Sequence, residues 1–297
     1  PARKRPGTRF VAEVKDSADA TRLIPFEYST TQAYVLEFGD LYIRFYLDGG
    51  VVESSPGVPY EIVSPYTAAQ VAALEYAQSA DVIYITHPDH APYKLARTSA
   101  LSWTITAVTF AWPPFNDENV GTITLTAGAV TGATTLTASA SLFVAADVGS
   151  YFKISEVSAS KYNQWTTGVS YSSGDIVYYL GNIYQSGTTA AAGSRPPIHT
   201  TGAESDGAVT WTFLHDGAGY AQVTAYTSAT LVNATVIKRL PATALTGSTR
   251  WSEGAWSARR GYPHAVTFYE DRLWFAGSAS KPQTLWASVS GDYENHK

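Results

Sequence analysis

At 297 residues the chain is long enough for two or three domains, each with a core of its own. Only 15% of it is charged, tyrosine reaches 20, and Thr, Ser, Ala and Gly abound, a mix that favours exposed β-sheet over helix bundles. The net charge of −5 gives no bulk attraction for nucleic acid, the lack of cysteine excludes disulfides, thiolate zinc sites and cysteine nucleophiles, and no apolar run reaches the about 18 residues of a membrane span, so the chain reads as a soluble, mainly β protein.

The start, PARKRPGTR, holds the one basic concentration, Arg3, Lys4, Arg5 and Arg9. Such a stripe meets phosphates without reading sequence, or it pairs with a neighbouring subunit. Tyr34–Phe38 and Leu41–Leu47 then alternate apolar and polar residues about Gly39-Asp40, which predicts a hairpin. Leu41, Ile43, Phe45 and Leu47 form one face of its second strand; Tyr42, Arg44 and Tyr46 form the other. The stretch AAQVAALEYAQSA, residues 68–80, lacks Gly and Pro and is predicted as the only helix. DVIYITHP follows as a strand stopped by Pro88, with another around Trp103, which completes an α+β platform over residues 1–118.

From Asn119 the texture becomes short β runs punctuated by Gly, and it returns at Gly219. This pattern predicts one small β barrel, residues 119–160 and 218–245, interrupted by a β module at 161–217. In the last stretch, 246–297, Val266 and Phe268 alternate against Leu273 and Phe275 across a tight turn, with a third strand at Thr284–Val289. These make a first propeller-like blade, which needs further blades or another subunit to cover both its faces.

Chemistry is sparse in this pattern. His87-Pro88-Asp89-His90 brings metal-ligand types together, but Pro88 and Pro92 suit an irregular turn, no third ligand is near, and the imidazoles are expected to bond locally. Ser79 sits in QSAD, outside any nucleophile elbow, and no glycine loop precedes a lysine as a phosphate cradle would require. Paired carboxylates for glycoside hydrolysis cannot be placed from spacing alone. No catalytic residue, metal or cofactor is assigned, and the chain is expected not to be an enzyme.

The order of several strings carries more. RKRPGT, RLIPFEYSTTQAYVLEFGDLYIRFYLDGG, PYTAAQVAALEYAQSAD, THPDHAPYKLAR and RGYPHAVTFYEDRLWFAGSASKPQTLWASVSGDYEN resemble the tail nozzle, or tail tubular B-like, structural proteins of short-tailed bacteriophages and prophages, over residues 3–116 and 251–295. The resemblance implies a virion structural protein made in the bacterial cytoplasm. It also implies a homo-oligomeric ring, with six copies the expected number, below the portal and adaptor and around the path of the DNA. A β-propeller belongs to that family, and the final blade resembles its beginning. Arg3, Lys4, Arg5 and Arg9 are then candidates for contact with passing DNA or with the adaptor, and the choice between the two stays open.

The segment from Trp165 is similar to the small chitin- and cellulose-binding modules of bacterial glycosidases, through Trp165, Tyr171, Gly174-Asp175, Val177-Tyr178-Tyr179, Gly181, Tyr184 and Trp211. Where those modules place exposed tryptophans after the last tyrosine, this chain has Gln185-Ser186-Gly187-Thr188-Thr189. Trp165, Tyr171, Val177, Tyr184 and Trp211 are therefore expected to form a core, since a small unit without disulfides has few other residues to bury. That leaves Tyr178 or Tyr179 as the stacking platform for a host surface glycan. A glycan-binding adhesion protein is thus the alternative reading, and a depolymerase ranks third.

Overall fold

The computed structural model describes residues 7, 9–29, 33–156 and 161–297. The chain is mainly β, without an α-helix among the described residues. It divides into two compact units, Pro1–Trp112 with Arg260–Lys297, and Pro113–Arg259.

In the first unit, Arg22–Glu27, Ala33–Gly39, Tyr42–Leu47 and Gly50–Val51 form an antiparallel sheet in chain order, and Glu61–Val63 adds to the free side of Tyr42–Leu47. Alternation sends Tyr34, Leu36 and Phe38 inward with Ile43 and Phe45. Trp103 reaches them from a second sheet, its ring 4.8 Å from Phe26, 5.3 Å from Tyr34 and 4.6 Å from Phe45. The hairpin turn is Asp40-Leu41, one residue later than expected, with Leu41 left-handed at φ 60 and exposed. Gly39 ends the strand opposite Tyr42 instead of making the turn, and a Cβ there would collide with the Tyr42 ring.

The predicted helix at 68–80 does not form. Val71–Ala73 makes one 3-10 turn, Leu74 is extended, and Glu75–Ser79 is a strand paired with Val82–His87. Thirteen residues of good helix propensity hold a marginal helix on their own. Here the tight turn at Ala80-Asp81 brings the segment onto a neighbouring strand, with Tyr76 opposite Ile85. The four-stranded sheet Ser102–Ala107, His90–Ser99, Val82–His87, Glu75–Ser79 replaces the expected α+β arrangement with an all-β one.

Ala265–Tyr269, Arg272–Ser278 and Lys281–Ala287 form the three-stranded meander expected at the end. Its hairpin turn, Glu270-Asp271, takes φ 47 and 55, the left-handed pair that matches strand twist. Leu273 and Phe275 are fully buried beneath it, with Phe110 6.1 Å from Phe275. Lys281–Ala287 pairs on one side only among the described residues, and Leu285 on it is 65% exposed.

The second unit holds a six-stranded sheet ordered Leu125–Ala127, Gly132–Ala138, Leu231–Lys238, Ala218–Ser228, Tyr151–Ser155, Trp251–Glu253. It curls into a half-barrel around Leu136, Phe143, Phe152, Ile154, Val223 and Val232. Two backbone bonds between Leu125 and Ser248, 2.9 and 3.0 Å, tie one rim back toward the other. The module leaves and rejoins this sheet through paired strands. Ser155 lies opposite Ala218, and the Glu156 amide donates to the Gly217 carbonyl at 2.7 Å.

Candidate functional site

The module is a five-stranded sheet, Asn163–Gln164, Ile176–Tyr179, Asn182–Ser186, Thr210–His215, Ala203–Ser205, with a small pair, Ser170–Tyr171 and Ala190–Ala191, beside it. The five residues expected at its core, Trp165, Tyr171, Val177, Tyr184 and Trp211, do cluster, joined by Ala192 and Val209. Tyr171 meets Trp211 edge-on at 5.1 Å, which satisfies the preference of aromatic quadrupoles for crossed rings. Three of the four polar tips find partners, while the buried Trp165 indole N–H has none among the described residues. The Trp211 indole donates to Asp206 at 2.9 Å, the Thr166 amide donates to the Tyr171 hydroxyl at 2.9 Å, and the Tyr184 hydroxyl donates to the His199 carbonyl at 2.8 Å. Burial works against charge on Asp206, but the Trp211 indole and the Val209 and Ala208 amides outweigh it and hold the carboxyl below its ordinary value. Most of the aromatic content of this segment is therefore structural.

Tyr178 and Tyr179 occupy opposite faces of the strand Ile176–Tyr179, and both are half-buried. Tyr179 belongs to the core side, its ring 5.7 Å from Trp165 and crossed at 76°. Tyr178 lies opposite Ile183 on the other face. Just beyond them the turn Leu180-Gly181 holds Leu180 at φ 48 and 75% exposed. This hairpin tip is the most open apolar part of the module's tyrosine strand pair.

The histidine cluster is built by the turn between Val82–His87 and His90–Ser99. The Asp89 amide donates to His87 Nδ1 at 3.1 Å, and His90 Nε2 lies 3.0 Å from Gln70 Oε1. The two imidazoles are 5.3 Å apart, and the buried Tyr66 ring stands 5.2 Å from His90. Burial lowers the pKa of both histidines, and for His87 the nearby His90 adds to the effect. No group of three metal-ligand side chains occurs among the described residues. Of the basic start, Arg3, Lys4 and Arg5 lie outside the described residues. Arg9 is exposed and donates to the Gly49 carbonyl at 3.5 Å.

One constellation escapes the sequence reading. Glu37, in the middle of Ala33–Gly39, is fully buried, and its carboxylate accepts from the Tyr42 and Tyr46 hydroxyls and, at 3.1 Å, from the Lys15 amide. Burial, and then the bonds to this carboxylate, raise both phenols well above their ordinary pKa. The available signal was the placement of Tyr42 and Tyr46 on the face opposite the core, the face that Glu37 also shares across the hairpin. In comparisons with known proteins, no family model matches the chain and no curated protein matches it.

Proposed function

We propose that the chain is a structural subunit of a short-tailed phage or prophage virion, of the tail nozzle type, which assembles with copies of itself around the DNA exit path and contacts portal or adaptor and other tail proteins. The observation that carries this reading is a coincidence of two divisions. The strings that resemble nozzle proteins span residues 3–116 and 251–295, and the first compact unit comprises Pro1–Trp112 and Arg260–Lys297. Distant members of that pattern meet inside the unit. The Thr86 hydroxyl donates to the His264 carbonyl at 3.3 Å, the Tyr262 amide to the Pro88 carbonyl at 3.2 Å, and Lys94 pairs with Glu294 at 2.5 Å. The remaining chain, barrel and module, forms the other unit, as an addition to a nozzle scaffold would.

In this reading the protein is a scaffold without catalysis, metal or cofactor, and passing DNA is met without sequence specificity. Negative-stain imaging of the assembled protein tests it. Rings with a central channel are expected; a monodisperse monomer at micromolar to millimolar concentration would sink the proposal. The exposed hairpin tip at Leu180, beside Tyr178 and Tyr179, favours one secondary role, contact with a host surface glycan through the module. Retardation of the protein in gels containing chitin, cellulose or host polysaccharide measures that role directly.

A further inference from the structure

The outer face of the half-barrel carries one lysine in an unusual setting. Phe152 and Ile154 turn into the core, so alternation turns Lys153, between them, outward. Its partners across the sheet are Tyr220 on one side and Ser252 on the other, and directly opposed residues share a face. Tyr151, two positions earlier on the strand, joins them. The Phe115 ring completes an aromatic wall, with the Tyr220 ring 5.7 Å from both Tyr151 and Phe115. Lys153 is half-buried against this wall, its Nζ 5.1 Å from the centre of the Phe115 ring. Lys15, Lys94 and Lys238 each hold a carboxylate, at 2.6, 2.5 and 3.1 Å. Lys153 holds none among the described residues. Glu118, the acid on its side, is engaged by Arg250 at 2.8 Å, and that guanidinium adds a second positive charge near the amine. Burial is the main influence that pushes the Lys153 pKa below its ordinary value; Arg250 adds to it and Glu118 opposes it. The Phe115 ring also attracts the ammonium, without reversing the direction. A lysine withdrawn from water beside another cation is the setting in which the amine acts as a nucleophile near neutral pH, because the free lone pair, not the ammonium, attacks.

We propose that Lys153 is a site of covalent modification by aldehydes, aromatic ones above all, through an imine whose ring lies against Phe115 and Tyr151. The Nζ lone pair bonds to the carbonyl carbon while the C=O π pair moves onto oxygen. A proton then passes from nitrogen to that oxygen, and water leaves as the C=N bond forms. The step is redox-neutral and reversible, and it modifies the amine without turning anything over. Phe115 and Tyr151 are both partly exposed, so the wall is open to an incoming ring, while Tyr220 and Ser252 are buried beneath it. Aromatic side chains favour a ligand that itself carries a ring, held in offset or crossed contact. The site lies wholly in the second unit and is independent of the nozzle reading.

The test exposes the full chain to benzaldehyde or acetaldehyde at pH 7, with cyanoborohydride to trap the imine, and reads the alkylated lysines by peptide mass spectrometry. Lys281, exposed on the last strand, is the internal reference. Benzaldehyde is expected to label Lys153 about tenfold faster than Lys281, and acetaldehyde by a smaller ratio. At pH 9.5, where solvated lysines begin to give up their protons as well, both ratios should fall. Phe115→Leu is expected to bring the benzaldehyde ratio down to that of acetaldehyde, with an unchanged circular dichroism spectrum. If that variant disturbs the fold, the pH and aldehyde comparisons on the wild type decide the matter. The proposal is overturned if Lys153 is labelled no faster than Lys281 at pH 7, if its ratio does not change with pH, or if acetaldehyde shows the same preference as benzaldehyde.

Discussion

Acid should weaken the second unit through one residue, His215, and the size of the effect can be worked from its surroundings. His215 ends the strand Thr210–His215, is 2% exposed, and accepts the Gly217 amide on Nδ1 at 3.2 Å. Its pKa falls from 6.5 to about 4, chiefly through burial, with Arg239 and Lys238 opposing the proton and Glu156 and Asp216 favouring it. A depressed folded-state value means that the unfolded chain binds the proton first. The stabilisation is therefore complete above pH 6.5, is lost as pH falls toward about 4, and changes little below that for this group. The difference corresponds to about 3 kcal/mol, a large part of a typical domain stability. Protonation also turns the Nδ1 acceptor into a donor facing the Gly217 amide. His215→Asn is the informative variant, because its side-chain oxygen can accept that amide but cannot titrate in this range. Urea denaturation at pH 7, 5.5 and 4.5, read by hydrogen exchange on peptides of residues 113–259, is the assay; the local readout matters because two compact units need not unfold together. Wild type should lose about 2 kcal/mol more than the variant between pH 7 and 4.5, most of the full difference, with the rest lost below pH 4.5. Equal losses in both proteins would refute the assignment of this acid sensitivity to His215.

Three further outcomes are expected. Removal of residues 157–216, with Glu156 and Gly217 joined by an Asn-Gly turn, should leave a folded barrel, because those two residues already share a backbone bond; an aggregated product in thermal denaturation would show that the barrel needs the module. Trp211→Ala should cost roughly 3–5 kcal/mol by chemical denaturation, whereas Tyr178→Ala should keep the fold and remove any glycan retardation; retardation that survives both Tyr178→Ala and Tyr179→Ala would discard these tyrosines as a platform. Dialysed protein should carry no stoichiometric metal by elemental analysis, and zinc that is retained by wild type but lost in His87→Ala would contradict the reading of that turn.

The parts of the fold that were legible are those whose signal is local. Alternation plus a two-residue turn is enough to place Tyr42–Leu47 against Ala33–Gly39, although the turn itself falls one residue later, with Gly39 paired under the Tyr42 ring. The module core was readable for a similar reason: large aromatics in a small unit have nowhere else to go. Residues 68–80 misled because alanine, glutamine and glutamate suit a helix in isolation, and only the partner strand Val82–His87 decides otherwise. The bonds between Leu125 and Ser248, and the arrival of the Lys15 amide at Glu37, join residues whose sequence neighbours say nothing about each other.

The one-sided strand Lys281–Ala287 bears on how the protein behaves in the test tube. A strand that pairs with a neighbouring strand on one side only among the described residues is a template on which another chain can grow, and the β-prone run Gln283-Thr284-Leu285-Trp286-Ala287 has no charge to discourage it. Lys281 and Pro282 guard only its first two positions. Crowded refolding would therefore favour edge-to-edge adhesion at this strand, and a lysine at position 285, where the leucine side chain already faces water, is the gatekeeper that would suppress it with little disturbance to the native sheet.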